Sequence, residues 1–250
     1  MEFVLVHGAY HGSWCWKLLV PELEMRGHRA VAVDLPISDP AAGSRVYAEN
    51  VIESVSELEK PILVGHSMAG LLIPLVAASR PVGLMVFLAA FLPQPGSSLA
   101  DQRAREPIDP PLDLNTAEFT NIGDGLFTVG PNTATEMFYQ DVPGEITDWA
   151  IRQLRPQSYL FMNETTPLDK WPATSSAYIV CRDDHAISPD WERTAAQERL
   201  GVQAHEIDGS HSPFLTRPTE LADLLHEIAS RLSSNFTIPA TASRTQEPGE

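Results

Sequence analysis

The sequence predicts an α/β protein with a doubly wound, mostly parallel six-stranded sheet and a small helical cap inserted into it. Short, nearly all-apolar runs alternate with helical stretches, as in parallel sheets that are buried on both faces. The alternation breaks once, between residues 93 and 171, and then resumes. The chain of 250 residues is 43% apolar, which suffices for one substantial core with an insertion.

The first 92 residues carry four of the predicted strands and three predicted helices. The helix after the first strand presents Leu18, Leu19 and Leu23 and ends at Gly27. The third helix contains Pro74, which removes a backbone hydrogen bond and predicts a kink. The predicted strands are Phe3–Val6, Ala30–Val33, Ile62–Val64 and Val82–Ala89, and the predicted helices are Trp14–Arg26, Tyr47–Glu59 and Gly70–Ser79.

Between residues 93 and 171 prolines are frequent and no strand pattern is clear. A structureless loop of this length is uncommon in a compact domain, and Thr133–Gln140 and Glu145–Leu154 have helical patterns. We therefore interpret residues 93–171 as a small helical cap inserted into a core domain of residues 1–92 and 172–232.

The alternation resumes after residue 171 and completes the predicted sheet. Ala177–Cys181 and Val202–Ile207 are the fifth and sixth strands, separated by the helix Pro189–Leu200. The last helix, about Pro218–Leu232, keeps one face apolar. Residues 233–250 have no periodicity and are predicted to form a flexible C-terminal tail.

Charge and composition exclude several classes of protein. The formal net charge of −16 has the wrong sign for binding a phosphate backbone or an anionic membrane surface. No apolar run approaches the about 20 residues of a membrane span, and no secretory leader precedes the first strand. Cys15 and Cys181 lack the number and spacing of a disulfide scaffold or a metal site. These patterns predict a cytoplasmic protein that binds neither nucleic acid, membrane nor metal.

One serine lies where a strand-to-helix turn would expose its hydroxyl as a nucleophile. The run Gly65–Gly70, GHSMAG, follows a predicted strand and opens a predicted helix, which is the setting of a nucleophile elbow. Such a turn places Ser67 at a helix N-terminus, where backbone N–H groups favour negative charge. Ala69 replaces the second glycine of the usual G-x-S-x-G pattern and tightens the approach of helix to strand.

A serine nucleophile needs an imidazole base and a carboxylate that fixes the tautomer of that base. Among eight histidines, His211 lies between the last predicted strand and the last predicted helix and is the predicted base. Asp184 follows the fifth predicted strand and gives the chain order Ser67, Asp184, His211 expected of this fold. The adjacent Asp183 remains an alternative acid.

Acyl transfer also requires backbone donors for the oxyanion, each typically worth about 3 kcal/mol. The loop His7–Gly12 after the first strand supplies glycine and flexibility. The predicted oxyanion donors are the N–H groups of Ala9 and Met68. The alternative interpretation of the loop is a turn that merely requires glycine, and His7 and His11 are interpreted as structural or substrate-facing residues.

Four segments together carry a resemblance to a known family: Val6–Trp16, Gly65–Gly70, Tyr178–Pro189 and Gly209–His211. They resemble the small alpha/beta hydrolases of the plant methylesterase and hydroxynitrile lyase group and their bacterial esterase relatives. The resemblance extends over about residues 1–230 and is firmer in the sheet domain than in the cap. It implies hydrolysis of a carboxylic ester through an acyl-enzyme, without a metal or an organic cofactor.

Other chemistries of this fold are weighed on particular residues. Hydroxynitrile lyases carry a Thr in the first-strand loop and a Lys after the catalytic histidine, where this chain has Gly8 and Ser212, so lyase activity is disfavoured. Ser67 excludes the enzymes that use an Asp nucleophile. A biosynthetic tailoring enzyme that opens a lactone, cleaves a thioester, eliminates or cyclises with the same triad stays open. A non-catalytic ligand receptor is disfavoured because no triad member is missing.

We expect the small-molecule partner to be a neutral apolar or aromatic ester of small to medium size, since the chain is acidic and the cap is rich in aromatic residues. The sequence does not identify the acyl and alcohol groups of the substrate, and it leaves open whether the chain forms a homodimer. The predicted pocket residues are Gly8, Tyr10, Trp14, Phe91, Leu92, Phe138, Tyr139 and Trp149, with Phe119 and Phe127 as further candidates.

Overall fold

The computed structural model describes residues 1–109 and 117–235, and its centre is a six-stranded parallel sheet. The strands are β1 (Glu2–Val6), β2 (Arg29–Val33), β3 (Ile62–His66), β4 (Leu84–Leu88), β5 (Phe119–Gly123), β6 (Leu126–Val129), β7 (Gln157–Ser158), β8 (Ser176–Cys181) and β9 (His205–Ile207). The parallel sheet has the order β2-β1-β3-β4-β8-β9. It contains all six predicted strands, so the predicted sheet is confirmed.

Helices cover both faces of this sheet, and each face has its own apolar core. In β1, Val4 and Val6 belong to one core, whereas Phe3 and Leu5 belong to the other. This explains why the strands are apolar throughout rather than alternating. The helices of the described residues are α1 (Leu19–Met25), α2 (Ser44–Ser54), α3 (Ile73–Ser79), α4 (Leu99–Arg103), α5 (Pro131–Phe138), α6 (Gly144–Gln153), α7 (Leu160–Asn163), α8 (Pro189–Ala195), α9 (Pro213–Thr216) and α10 (Pro218–Asn235).

Different helices cover the two faces of the parallel sheet. Helices α2, α3 and α8 pack on the first core, and α1 and α10 pack on the second.

Helix α10 begins as predicted and extends to Asn235, so it includes the first three residues of the predicted tail. The rest of the predicted tail, residues 236–250, lies outside the described residues.

The inserted segment, residues 93–171, carries helices α4–α7 and a small three-stranded antiparallel sheet in the order β5-β6-β7. The expectation that this segment has no strand is therefore wrong. Strand β5 is mostly exposed and has no apolar alternation, and β7 has two residues. The run Gly123, Asp124, Gly125 makes the β5–β6 hairpin with three positive φ angles, of 101°, 52° and 75°. A Gly-Asp-Gly turn was the available signal.

Pro74 begins a helix instead of kinking one. A 3-10 turn, Ser67–Leu71, follows β3, and α3 begins at Ile73 with Pro74 in its first turn. No N–H partner is needed there, and the fixed φ of proline suits a helix start. The predicted helix Gly70–Ser79 is therefore divided into the end of a 3-10 turn and α3, and the turn that carries Ser67 is short.

Candidate active site

Loops at the carboxyl ends of three parallel strands carry the predicted catalytic side chains. Ser67 follows β3, Asp184 follows β8 and His211 follows β9. Because these strands belong to one parallel sheet, their carboxyl ends meet at the same edge, where ligands bind in open α/β sheets. The topology alone therefore brings residues that are far apart in sequence to one edge.

The turn at Ser67 is strained and tightly packed. Ser67 has a φ of 54°, which costs free energy for a residue with a side chain. A Cβ atom at Gly70 would overlap the carbonyl oxygen of Phe91 and lie 2.9 Å from Ala90 Cβ. Glycine is thus required where the turn meets the end of β4. Ala69 is fully buried, so the turn accommodates the methyl group that replaces the usual glycine.

His211 is bonded to the carboxylate of Asp184. The His211 Nδ1–H donates to Asp184 Oδ2 at 2.7 Å, and both side chains are almost fully buried. Asp184 Oδ1 accepts from the backbone N–H groups of Ala186 at 2.6 Å and Ile187 at 3.0 Å. Three donors therefore fix this carboxylate. With Nδ1 as the donor, the neutral ring of His211 keeps a bare lone pair on Nε2.

The alternative acid, Asp183, contacts the loop of His211 rather than its ring. Its Oδ2 accepts from the Gly209 N–H at 3.3 Å, and its own N–H donates to the Gly209 carbonyl at 3.1 Å. Asp183 thus ties together the loops after β8 and β9. Of the two adjacent aspartates, only Asp184 bonds the imidazole of His211.

His66 contacts both the backbone and the ring of His211. Its Nε2–H donates to the backbone carbonyl of His211 at 2.9 Å, and the two ring centroids are 4.5 Å apart. Ser67 is 8% exposed, and among the described residues its hydroxyl has no hydrogen-bond partner. A bond from a nucleophile to its base is commonly long in a free enzyme and tightens when substrate binds.

The loop after β1 closely approaches the side chain of Ser67. A Cβ at Gly8 would lie 2.8 Å from Ser67 Cβ, so glycine permits this close approach. Within the described residues, the Ala9 N–H has no acceptor. Met68 is the second residue of its 3-10 turn, where an N–H has no intrahelical partner. In the described part of the chain, two residues next to Ser67, one in the cavity lining and one in sequence, thus have N–H groups without an acceptor.

His7 orients the peptide that carries the Ala9 N–H. The Leu35 N–H donates to His7 Nε2 at 3.0 Å, so the ring proton is on Nδ1. This Nδ1–H donates to the Gly8 carbonyl at 2.8 Å. The Gly8 carbonyl and the Ala9 N–H belong to one planar peptide group, so the direction of the first sets the direction of the second.

Burial keeps three histidines around the site neutral. Desolvation lowers the pKa of His7 to about 4, that of His11 to about 3, and that of His66 well below its usual value. For His7, the nearby carboxylate of Asp34 raises the pKa, but by less than desolvation lowers it. Each ring therefore offers one N–H donor and one bare nitrogen at neutral pH, as the hydrogen bonds above require.

A cavity of about 210 Å³ opens on Ser67. This volume is small beside the ~300–1,000 Å³ of drug-sized ligand sites. Its walls come from the loops after the strands of the parallel sheet and from the inserted segment, residues 93–171, which therefore covers part of the cavity. The lining residues are Ala9, Tyr10, Ser67, Phe91, Arg103, Phe119, Met137, Phe138, Tyr159, Phe161, Met162 and Ala186.

The predicted pocket residues divide into two groups. Tyr10, Phe91 and Phe138 line the cavity, as does Phe119, and Gly8 backs Ser67. Trp14, Leu92, Tyr139 and Trp149 are not among the lining residues, and neither is Phe127, which packs on Tyr159 with ring centroids 4.4 Å apart.

The predicted pocket residues that do not line the cavity pack beside it or in the core. The rings of Trp14 and Trp149 pack edge to face with centroids 5.2 Å apart. Leu92 is fully buried in the first core. The hydroxyl of Tyr139 donates to His11 Nε2 at 2.7 Å, while His11 Nδ1–H donates to the Ala9 carbonyl. These residues hold the walls of the site in place and do not form its surface.

Several lining residues were missed by sequence reasoning. Arg103, Tyr159, Phe161 and Met162 lie on or beside the short helices α4 and α7, which are too brief to show a helical period. The capping box of Ser98 and Asp101 was the available sequence signal for α4. No comparable signal marks α7.

Two further classes of site were searched for in the part of the chain that the structure describes. No group of three or more His, Cys, Asp and Glu side chains could hold a metal ion there. No helix among residues 1–109 and 117–235 is long and apolar enough to cross a membrane. Cys15 and Cys181 are both buried and unpaired.

Comparisons with known proteins agree with this fold. The sequence profile described as the alpha/beta hydrolase family matches residues 3–224. Methylesterase 2 of Arabidopsis thaliana is 32% identical over 91% of this chain and 95% of its own length. Alpha-hydroxynitrile lyase of the same plant is 33% identical over 91% and 96%. The crystal structure of polyneuridine aldehyde esterase, 25% identical, superposes with a TM-score of 0.78 over 91% of this chain and 98% of that one.

Proposed function

The chain belongs to the alpha/beta hydrolase family and is an ester hydrolase, and we propose that it cleaves a small carboxylic ester through Ser67, His211 and Asp184. The observation that carries this proposal is the bond of 2.7 Å from His211 Nδ1–H to Asp184 Oδ2. It leaves His211 Nε2 free to act as a base on the serine at the same edge of the sheet.

The first half of the reaction forms an acyl-enzyme. His211 Nε2 removes the proton of the Ser67 hydroxyl as the oxygen attacks the ester carbonyl. The buried carboxylate of Asp184 stabilises the imidazolium that results. His211 then gives this proton to the leaving alcohol. In the second half, water attacks the acyl-enzyme with the same base, and the carboxylic acid leaves.

The oxyanion of each tetrahedral intermediate is stabilised by the N–H groups of Ala9 and Met68. Both N–H groups are free of other acceptors in the described residues, so no bond must break before they act. His7 serves as a positioning residue, because its bond to the Gly8 carbonyl fixes the Gly8–Ala9 peptide. Hydrogen bonding at that carbonyl also polarises the peptide and strengthens the N–H as a donor.

The cavity favours a compact, uncharged ester. Most of its lining is aromatic, aliphatic or thioether side chains, and the net charge of −16 repels anionic substrates. The chemistry requires neither a metal nor an organic cofactor. Residues 93–171 act as a cap in this proposal, since they supply Arg103, Phe119, Phe138 and Tyr159 to the cavity wall.

Lyase chemistry, which the name of one relative suggests, does not suit the loops of this chain. The resemblance implies that the lyases have a lysine directly after the base, but here Ser212 follows His211 and is fully buried. The resemblance likewise implies a threonine in the first-strand loop of the lyases, where this chain has Gly8. The same triad on these loops therefore supports hydrolysis.

The proposal is tested by hydrolysis of short nitrophenyl esters with purified wild type, Ser67→Ala and Ser54→Ala. Ser54 is an exposed helix residue that does not line the cavity and serves as the matched control. We expect Ser67→Ala to lose at least ~10³-fold in kcat/KM and Ser54→Ala to keep wild-type activity. Retained hydrolysis by Ser67→Ala refutes the mechanism. Strong labelling of Ser67 by a fluorophosphonate without turnover of simple esters points instead to a tailoring reaction of the same triad.

A further inference from the structure

Three polar side chains interrupt the apolar lining of the cavity beside Ser67. Tyr10 comes from the loop after β1, Arg103 from the end of α4 and Tyr159 from the residue before α7. We call these three residues the polar wall. They belong to separate parts of the chain, and the cavity brings them together.

Tyr10 is buried and Tyr159 is half-buried, and both side chains line the cavity. Tyr10 is only 4% exposed, yet neither its hydroxyl nor that of Tyr159 has a hydrogen-bond partner among the described residues. Buried tyrosine hydroxyls are normally bonded. The other three tyrosines of the chain follow this rule, through Gln157, His11 and the backbone of Ala90. The two exceptions are the two that line the cavity.

The backbone of Tyr10 is held in an unfavourable conformation that aims this side chain. Its φ is 64°, in the left-handed region that a residue with a side chain adopts only under constraint. The Tyr10 N–H donates to Gln157 Oε1 at 3.3 Å, and its carbonyl accepts from the Arg155 N–H at 2.9 Å. Gln157 is fully buried and is itself bonded to the Tyr47 hydroxyl and the Ser158 carbonyl.

The tyrosines of the polar wall remain protonated donors. Both phenols line one cavity; desolvation raises the pKa of each, and Tyr159 raises the pKa of Tyr10 further. Arg103 acts in the opposite direction on Tyr159. At neutral pH both hydroxyls therefore carry a proton that they can donate into the cavity.

The positive charge of the polar wall is balanced by Asp109, which lies outside the wall. The guanidinium of Arg103 pairs with the carboxylate of Asp109 and lies 4.0 Å from Met162 Sδ. Of the described residues that line the cavity, Arg103 is the one that carries a charge, and Asp109 neutralises it. A carboxylate on the substrate would compete with Asp109, whereas an uncharged oxygen would only accept bonds from the phenols.

On the basis of the proposed function, we propose that Tyr10 and Tyr159 bind a second, uncharged acceptor oxygen of the ester substrate, such as a keto oxygen. The substrate class is therefore a small ester with an oxygen acceptor away from the scissile carbonyl. Binding gives an acceptor to two cavity-lining donors that have no partner among the described residues. Because Arg103 is paired with Asp109, its positive charge does not attract an anionic group into this part of the cavity.

Three matched methyl esters test this inference. Methyl 4-acetylbenzoate carries the acceptor, methyl 4-isopropenylbenzoate replaces that C=O by C=CH₂, and monomethyl terephthalate replaces it by a carboxylate. We expect the wild type to prefer the acetyl ester to the isopropenyl ester about 10-fold or more in kcat/KM. Tyr10→Phe and Tyr159→Phe should each reduce this ratio, and the double variant should abolish it.

Two further variants sharpen the result. Tyr178→Phe removes a buried hydroxyl that does not line the cavity, and it should keep the wild-type ratio. Asp109→Asn leaves the charge of Arg103 without its partner, so it should shift the preference toward monomethyl terephthalate. An unchanged ratio in both Phe variants, or a wild-type preference for the carboxylate, overturns the inference.

Binding separates failure of this inference from failure of the proposed function. Calorimetric titration of Ser67→Ala with the acetyl and isopropenyl esters measures the same preference without turnover. If wild type hydrolyses neither ester but Ser67→Ala prefers the acetyl ester and the added Tyr10→Phe change removes that preference, the subsite stands and the hydrolysis proposal fails. If wild type hydrolyses both esters equally and Ser67→Ala binds both equally, the subsite is refuted and hydrolysis stands.

Discussion

Lowering the pH from 7 to 5 should destabilise this protein by several kcal/mol, because its site is built on buried, neutral histidines. Burial lowers the pKa of His7 from 6.5 to about 4 and that of His11 to about 3. Below pH 6.5 the unfolded chain therefore binds protons that the folded chain does not. Stability falls as the pH falls from 6.5, and the loss from His7 stops growing below about pH 4.

The magnitude follows from these values. At about 1.36 kcal/mol per pH unit and proton, the ~1.5 units between 6.5 and 5 give about 2 kcal/mol for each of the two residues. The sum, about 4 kcal/mol, is a large part of the ~5–15 kcal/mol of a typical domain. His66 acts in the same direction, since burial also lowers its pKa.

The assay is the free energy of unfolding in urea, measured between pH 7.5 and 4.5. His7→Asn keeps an N–H donor near the Gly8 carbonyl but does not titrate. Its slope against pH should be smaller than that of the wild type by about 1.36 kcal/mol per unit between pH 6 and 4.5. Ile37→Val, a fully buried apolar change, should lower stability by ~0.5–1.5 kcal/mol at every pH. Identical slopes for His7→Asn and the wild type would refute the reasoning.

Three further outcomes are expected. Gly70→Ala should lower the free energy of unfolding by about 1–3 kcal/mol. A Cβ at Gly144 meets nothing within 4 Å, so the control Gly144→Ala should be neutral or stabilising by up to ~1 kcal/mol. Equal stability of the two variants in urea contradicts the packing argument. Asp184→Asn should reduce kcat/KM on the order of 10³–10⁴-fold, and a loss below tenfold in ester hydrolysis contradicts its role. Burial raises the pKa of the Cys15 and Cys181 thiols, so a thiol reagent at pH 8 should label both only in denaturant, and rapid labelling of the native protein counts against this.

The sheet was predictable because its residues obey one rule. Strands buried on both faces must be apolar at every position, so runs such as Phe3–Val6 and Ala177–Cys181 stand out in the sequence. The order of loops then follows from the parallel topology, which puts Ser67, Asp184 and His211 at one edge. The choice of Asp184 over its neighbour rested on the pattern after the strand, and the structure places its carboxylate on the His211 ring.

The cavity was less predictable because neighbouring residues face opposite ways. Phe91 lines the cavity and Leu92 is in the core, just as Phe138 lines it and Tyr139 bonds His11. Composition indicates that aromatic residues are present but not which of them faces the cavity. Short elements such as α4 and α7 show no period, so Arg103 could not be assigned to the wall. Those side chains are placed by tertiary packing alone.

The central claim is that Ser67 carries the acyl group during turnover, and trapping that intermediate tests it most directly. The protein is mixed with nitrophenyl acetate, quenched in acid within milliseconds to seconds, digested and analysed by mass spectrometry. We expect an acetyl group on the peptide that contains Ser67, at the position of that serine, and none in Ser67→Ala. Turnover without an acetyl group on Ser67, or acetylation of another residue that accounts for turnover, would contradict the account.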